Sequence, residues 1–287
     1  MTPGPTHPSV PAANQIDNQH KVRVVVSLTS FPGRLHRINA TMHSLASQSL
    51  KPDRIILSIP KDGVVRFKNN SQTAHTSKTD EELLAQLQSD IPFMFVHKTT
   101  DYGSATKLLG ALEIEKDPET IIVTVDDDTI YHAQTVQTLV SALESQKLSS
   151  NPIKGPVCFV CQYWPKWWPS VLRQHQPGMC KGFLNAYASA AYKVSHFTST
   201  PGALEHVFDH ASWPDVPQKE CRLHDDVWLS GVLFKTSGGK IRPFVVNAPG
   251  FDPIIGEMGH TQFSINSVEN TEKEYRDPCL KFFDYLQ

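Results

Sequence analysis

Val22 to Leu28 is a run rich in β-branched apolar residues, interrupted only by Arg23 and Ser27, the pattern of a strand buried on both faces. Thr29-Ser-Phe-Pro-Gly33 follows, and then Leu35, Ile38, Met42, Leu45 and Ala46 recur at helical spacing between Arg34 and Leu50. Pro52 ends that helix, and Asp53 to Ile59 reads as a second strand. Lys61 to Thr79 is polar and aperiodic, which predicts a long loop, and Asp80 to Gln88 predicts a short helix. Ile91 to Val96 and Ile121 to Val125 are further strand candidates. Between them, Thr106 to Glu115 carries Leu108, Leu109, Leu112 and Ile114 at helical spacing. Ala133 to Gln146 adds an amphipathic helix through Val136, Leu139, Val140 and Leu143. Strands alternating with helices predict an α/β architecture, a Rossmann-like, mostly parallel central sheet flanked by helices.

The alternation stops after Asn151, where short apolar runs, prolines and Trp164, Trp167, Trp168 and Trp213 replace it. This predicts an irregular second half packed on the same sheet. Residues 21–287 then form one domain with a first half at 21–150 and a second at 151–287. Residues 1–20 hold four prolines and few apolar groups, too little burial to offset the entropy of ordering, which predicts a disordered arm.

Composition narrows the possibilities. The 287 residues carry 27 Lys and Arg against 29 Asp and Glu, a net charge of −2, with no basic footprint for nucleic acid. No stretch approaches a transmembrane span and no signal peptide is evident, so the expectation is a cytoplasmic protein. A membrane-associated or lumenal location is the alternative, should an anchor lie outside this sequence. Cys158, Cys161, Cys180, Cys221 and Cys279 are odd in number and sparse, which predicts reduced thiols rather than a disulfide framework. Cys158-Phe-Val-Cys161 lies in an apolar run and reads as a buried structural pair rather than a redox or zinc motif. The sequons at Asn39 and Asn69 read as chance matches in that setting.

Asp126, Asp127 and Asp128 directly follow the strand Ile121 to Val125. Ligands of open α/β sheets collect outside the carboxyl ends of strands, so these carboxylates reach that crevice together. Their mutual repulsion raises carboxylate pKa values unless a cation neutralises it, and oxygen donors of this kind suit Mg²⁺ or Mn²⁺. A turn or a helix cap is the alternative. A second acidic pair, Asp225-Asp226, precedes the apolar Val227, Leu229 and Val232. One of these capping a helix leaves the other as a candidate general base. Lys107, in Gly-Ser-Ala-Thr-Lys, is placed to reach a phosphate or orient an Asp, although the phosphate-loop pattern G-x-x-x-x-G-K-[ST] is absent. Gly182 to Tyr192 is small and semi-polar, suited either to close backbone approach to a ligand or to a tightly packed helix. The tryptophans either stack on sugar rings or anchor loops and core.

The order Val-Val-Ser-Leu-Thr-Ser-Phe-Pro-Gly-Arg34, Asp101-Tyr-Gly-Ser-Ala-Thr-Lys107, Val-Asp-Asp-Asp-Thr129 and His-Asp-Asp-Val-Trp228 resembles the GT-A fold of nucleotide-sugar glycosyltransferases, particularly family-2-like members. The resemblance spans roughly Val22 to Phe234. It implies a GT-A catalytic domain whose second half binds the acceptor. It also implies a D-x-D motif in which Asp126 lies near the ribose or base, Asp127 lines the donor site, and Asp128 with Asp126 holds Mn²⁺ or Mg²⁺. It further implies that Thr29 and Arg34 contact the nucleotide and that the segment Gly182 to Tyr192 lines the donor sugar. Lys107 joins the donor site, and His260 serves as a further metal ligand. Asp226, more than Asp225, matches the position of the base that deprotonates the acceptor hydroxyl, and inversion at the anomeric carbon follows. The partners implied are a nucleotide-sugar donor and a carbohydrate or other hydroxyl-bearing acceptor.

Three other functions fit parts of this pattern. A nucleotidyltransferase would use the same metal and diphosphate. A haloacid-dehalogenase-type phosphatase needs D-x-D-x-[TV], which Ile130 breaks, and that motif ordinarily ends the first strand of its fold. A non-catalytic carbohydrate-binding protein would leave both acidic motifs idle.

Overall fold

The computed structural model describes residues 22–61, 77–148, 155–165, 170–222, 224–257 and 276–284. The expected arm at 1–20, most of the expected loop at 61–79, Trp167, Trp168 and His260 lie outside the described residues.

Four strands open the chain: β1 (Val24–Thr29), β2 (Arg54–Pro60), β3 (Met94–Thr99) and β4 (Ile121–Thr124). They pair in parallel in the order β3-β2-β1-β4, with Val26 beside Val123 and Thr29 beside Ser58. Helices α1 (Asn39–Ala46), α2 (Lys78–Asp90) and α3 (Thr106–Ile114) make the crossovers. The alternation read from the apolar pattern is therefore the alternation observed. After β4, a short strand β5 (Thr129–Tyr131) leads into α4 (Thr135–Leu148).

The second half extends the same sheet with strands too short to carry a periodic signal. These are β6 (Val157–Cys158), β7 (Cys161–Tyr163), β8 (Leu172–Gln174), β9 (Gly178–Met179), β10 (Phe183–Leu184), β11 (Ala190–Lys193), β12 (Phe244–Val245) and β13 (Ile254–Glu257). The large sheet runs β3-β2-β1-β4-β11-β6-β12-β9, with β11 antiparallel to β4. Strands β10, β7 and β8 form a small antiparallel sheet, and β13 pairs with β5. Helices α5 (Ser195–Thr198), α6 (Ala203–Phe208), α7 (Gln218–Arg222), α8 (Asp225–Thr236) and α9 (Asp277–Phe283) complete the described elements.

Alternate residues of the central strands feed two cores. Val25, Ile56 and Ile122 face α3 and α8, whereas Val26, Leu57 and Val123 face the side of α1, α2 and α4. Helix α3 is buried from Thr106 through Leu112, so it has no solvent face. Its Gly110 lies so close to β2 that a Cβ there would collide with Ser58 Oγ. α2 starts with a capping box: Asp80 N–H donates to the Ser77 hydroxyl, and Ser77 N–H donates back to the Asp80 carboxylate.

Several sequence expectations need correction. The helix expected from Arg34 to Leu50 is a 3-10 turn at Leu35–Arg37 followed by α1, which ends at Ala46. Ile91 does not start β3. Its N–H donates to Leu87 O and closes α2, and Pro92 moves the strand start to Met94. The run Val157 to Cys161 is not one strand but two, β6 in the large sheet and β7 in the small one. Gly182 to Tyr192 is not a helix but β10, a 3-10 turn at Ala186–Ala188, and β11.

The cysteines differ most from expectation. Cys161 is bonded to Cys180 and Cys221 to Cys279, with Cα atoms 5.9 and 5.1 Å apart, and only Cys158 is a free, buried thiol. The C-x-x-C pair is thus split between a disulfide and a lone thiol. Spacing in sequence concealed this because Cys221 and Cys279 are 58 residues apart. Among the described residues, no helix is long and apolar enough to cross a membrane.

Candidate active site

Parallel β1 and β4 end side by side, and the chain leaves β4 through Val125 into Asp126, Asp127 and Asp128. The next element is β5 rather than a helix, so these acids do not cap a helix. The Asp127 carbonyl accepts the Thr41 hydroxyl at 3.1 Å, which fixes the turn against α1.

Two cations meet the three carboxylates. Arg34 Nη2 lies 2.6 Å from Asp127 Oδ1 and 2.7 Å from Asp128 Oδ2. Lys107, on the buried helix α3 and only 7% exposed, places Nζ 2.8 Å from Asp126 Oδ1 and 3.3 Å from Asp225 Oδ2. Lys107 is therefore not a solvated helical lysine, and it orients aspartates rather than standing free for a phosphate. Burial works against its ammonium, but Asp126, Asp225 and Asp226 outweigh that cost and hold its pKa well above the usual lysine value.

Asp225 and Asp226 begin α8, whose N-cap residue is His224, and neither carboxylate makes the capping bond expected from sequence. Asp225 turns towards Lys107. Its Oδ2 is shut off from solvent and the ammonium contact is an ion pair without hydrogen-bond geometry. Asp226 turns the other way, and its Oδ2 accepts the Ala186 N–H at 3.2 Å. Asp226 keeps some accessible surface, yet its Oδ1 is enclosed without a hydrogen-bond partner among the described residues. Burial and then the Asp225 charge raise the Asp226 pKa well above the carboxylate range, against the pull of Lys107 and the Ala186 N–H. Burial likewise lifts Asp127 to about 6, even with Arg34 beside it.

Five carboxylates thus surround two cations. The Asp126 and Asp128 ion pairs use Oδ1 and Oδ2 respectively, and such hard oxygen donors in an acid-rich crevice fit a divalent cation. Among the described residues, no three His, Cys, Asp or Glu groups converge into a preformed metal cage. Arg34 would share Asp128 with such an ion rather than leave it to the ion alone.

The structure brings Arg34, Lys107, Asp126, Asp127, Asp128, Asp225 and Asp226 together. It gives Thr29 another task, since the Thr29 hydroxyl donates to Ser58 O at 2.9 Å across β1 and β2. Sequence reasoning missed Tyr131. The Tyr131 hydroxyl accepts the Asp126 N–H at 2.8 Å and donates to Tyr187 O at 3.3 Å. A tyrosine at the end of a short strand right after the acids was the available signal.

No family model and no curated protein matches the sequence. Among solved structures, the chain is similar to S. aureus TarS 1–349 at 11% identity and a TM-score of 0.46, over 79% of this chain and 58% of that one. It is similar to glucosyl-3-phosphoglycerate synthase from Mycobacterium tuberculosis, solved with Mn²⁺, UDP and glucosyl-3-phosphoglycerate, at 12% identity, TM-score 0.46, 92% of this chain and 80% of that one. It is also similar to CMP:2-keto-3-deoxy-manno-octonic acid synthetase complexed with CTP, at 10% identity, TM-score 0.45, 80% of this chain and 93% of that one. The chain spans under two thirds of the TarS chain. It has the α/β class expected from sequence, and in motif order it resembles the GT-A glycosyltransferases.

Proposed function

We propose that residues 21–287 act as a metal-dependent glycosyltransferase that moves a sugar from a nucleoside-diphosphate sugar to an acceptor hydroxyl with inversion. The observation that carries this reading is the convergence on Lys107 of two acidic motifs about a hundred residues apart, at the carboxyl end of β4.

Asp128 and Asp126 would hold Mn²⁺ or Mg²⁺, with His260 a further ligand by resemblance. Such an ion stabilises charge on a departing diphosphate. Asp127 and Arg34 line the donor side, and Arg34 keeps Asp127 and Asp128 from repelling each other. Lys107 keeps Asp126 and Asp225 in place. Asp226 takes the proton from the acceptor hydroxyl, and the enclosure that raises its pKa makes its carboxylate a stronger base than an exposed aspartate. The two disulfides favour an oxidising compartment over the cytoplasm for this chemistry.

Calorimetric titration of UDP-, GDP- and dTDP-sugars with and without Mn²⁺, on the wild type and Asp128→Asn, tests the reading. Metal-dependent binding of one donor that the variant loses is expected. Absence of binding to every donor would remove it. Release of nucleoside diphosphate rather than pyrophosphate in turnover separates it from nucleotidyl transfer.

A further inference from the structure

Residues Asn185 to Ser189 lie between the two acidic motifs, hydrogen-bonded directly to Asp226 and through Tyr131 to Asp126. On one side, the Tyr131 hydroxyl accepts the Asp126 N–H and donates to the Tyr187 carbonyl. The Ser189 hydroxyl donates to Thr124 O at 3.1 Å, and the Thr124 hydroxyl donates to Ala190 O at 3.3 Å, two residues before Asp126. On the other side, the Ala186 N–H donates to Asp226 Oδ2 at 3.2 Å, and the Leu184 N–H donates to Ser230 Oγ at 3.2 Å one turn further along α8. Asn185 closes the turn, its N–H donating to Val160 O and its side chain accepting the Tyr187 N–H.

Ser189 ends this segment with φ 85° and ψ 144°, a backbone region that only glycine adopts freely, and it is fully buried. A non-glycine residue persists there only where its surroundings over-determine it. Here they do, through the Ser189 hydroxyl donating to Thr124 O, the Thr124 hydroxyl donating to O of the next residue, Ala190, and the Ser189 N–H donating to Ala186 O. β11 starts at the next residue, in antiparallel register with β4.

We propose that Asn185 to Ser189 is a rigid strap that sets Asp226 at a fixed distance and orientation from Asp126, with Tyr131 and Ser189 as its positioning residues. The proposal rests on the transferase reading for its catalytic meaning, while the strap itself is a property of the fold. Tyr131 bonds the backbone of Asp126 and neither the Asp126 nor the Asp226 carboxylate. It acts by holding the Asp126 backbone and the Tyr187 carbonyl at once, so a shift on one side is passed to the other. Two groups that must act on opposite faces of one sugar lose rate steeply when their relative placement drifts by about 1 Å.

Tyr131→Phe keeps the buried ring and deletes only the hydroxyl. Amide exchange followed by NMR in the whole chain should show the Ala186 N–H exchanging at least about fivefold faster, while Val26 and Val123 keep their protection. The readout is specific because Ala186 N–H does not touch Tyr131; its bond is to Asp226. Unchanged exchange at Ala186 would overturn the strap, whether or not the chain transfers sugar. Ser189→Gly keeps the φ but deletes the hydroxyl that donates to Thr124 O, so Ala186 should exchange faster there too, and faster still in Ser189→Val, which also strains the backbone. Full protection of Ala186 in the glycine variant would overturn the role of Ser189 in the strap. In turnover, Tyr131→Phe should lower kcat about tenfold with the donor KM within about threefold, the signature of misplacement in the transition state rather than lost donor binding. An unchanged kcat would remove the positioning role. A wild type that binds no nucleotide sugar would defeat the transferase reading while the exchange experiment still decides the strap.

Discussion

Lys107 Nζ lies 2.8 Å from Asp126 Oδ1 and 3.3 Å from Asp225 Oδ2, so one buried ammonium joins the end of β4 to the start of α8. Removing it strands the buried Asp225 carboxylate without a counter-charge and takes the partner from the partly exposed Asp126. Lys107→Met should therefore destabilise the fold by about 3–5 kcal/mol, well beyond an ordinary surface change. Lys107→Arg should not restore it, because the planar guanidinium needs more room than α3 leaves beside β1. Urea unfolding of the three proteins at pH 7 checks both, and a loss under about 1 kcal/mol for the methionine variant would mean the ion pairs are solvated.

The disulfides give a simple count. With Cys161–Cys180 and Cys221–Cys279 formed, the denatured but unreduced protein should titrate one thiol, that of Cys158. The native protein should titrate none, since Cys158 is buried and its thiol is pushed up to about 12 chiefly by that burial. Closing the 58-residue separation of Cys221 and Cys279 constrains the unfolded chain, so Cys279→Ser should cost about 2–4 kcal/mol. The missing bridge frees α9, whose Phe283 packs on Trp228 with ring centroids 5.6 Å apart. Thiol titration with and without denaturant, and melting of the serine variant, test these in turn.

Much of this was legible in the chain, and the reason differs by element. Strands β1, β2 and β4 are buried on both faces, so their runs were dominated by apolar residues and could be read directly. Asp126 to Asp128 were legible because three acids after such a strand have one place to go. Strands β6, β9, β10 and β12, two residues each, carry no period at all. Lys107 reads from sequence as able to reach a phosphate or orient an Asp, but its burial was hidden, because α3 is buried all round and spacing does not distinguish its lysine from one on a wet face. The direction in which Asp225 and Asp226 part depends on α3 and on Ala186, both remote in sequence.

His196 and His210 set an acid limit. Burial, then Lys193, lowers His196 to about 3, and burial, then Arg222, lowers His210 to about 4. Both titrate near 6.5 when unfolded, so the unfolded state takes up more protons below that pH. Their stability contribution is fully present above pH 6.5 and is lost as pH falls through the range towards 4. Each should cost about 1.4 kcal/mol per pH unit across the middle of that window. His210→Phe, which keeps a ring to stack on Trp228, should flatten the decline; an equal slope in the variant would show that His210 ionises in the folded protein.

Arg34 spans Asp127 and Asp128 with a single nitrogen, and this places it in competition with any cation that Asp128 would hold. Two effects oppose each other when it is removed. The Asp128 carboxylate becomes wholly available, which favours a divalent ion, while the nucleotide side loses a positive charge, which disfavours an anionic diphosphate. Asp127 loses the nearby charge that offsets its burial, so its pKa, already about 6, rises further. Arg34→Met should therefore bind Mn²⁺ alone several-fold more tightly and the metal-bound nucleoside diphosphate about tenfold more weakly. Calorimetry with Mn²⁺ alone and then with UDP in saturating Mn²⁺ reads the two terms apart. Weaker binding of both would mean that Arg34 builds the acidic turn rather than competing for it, and the placement of the metal on Asp128 would have to be abandoned.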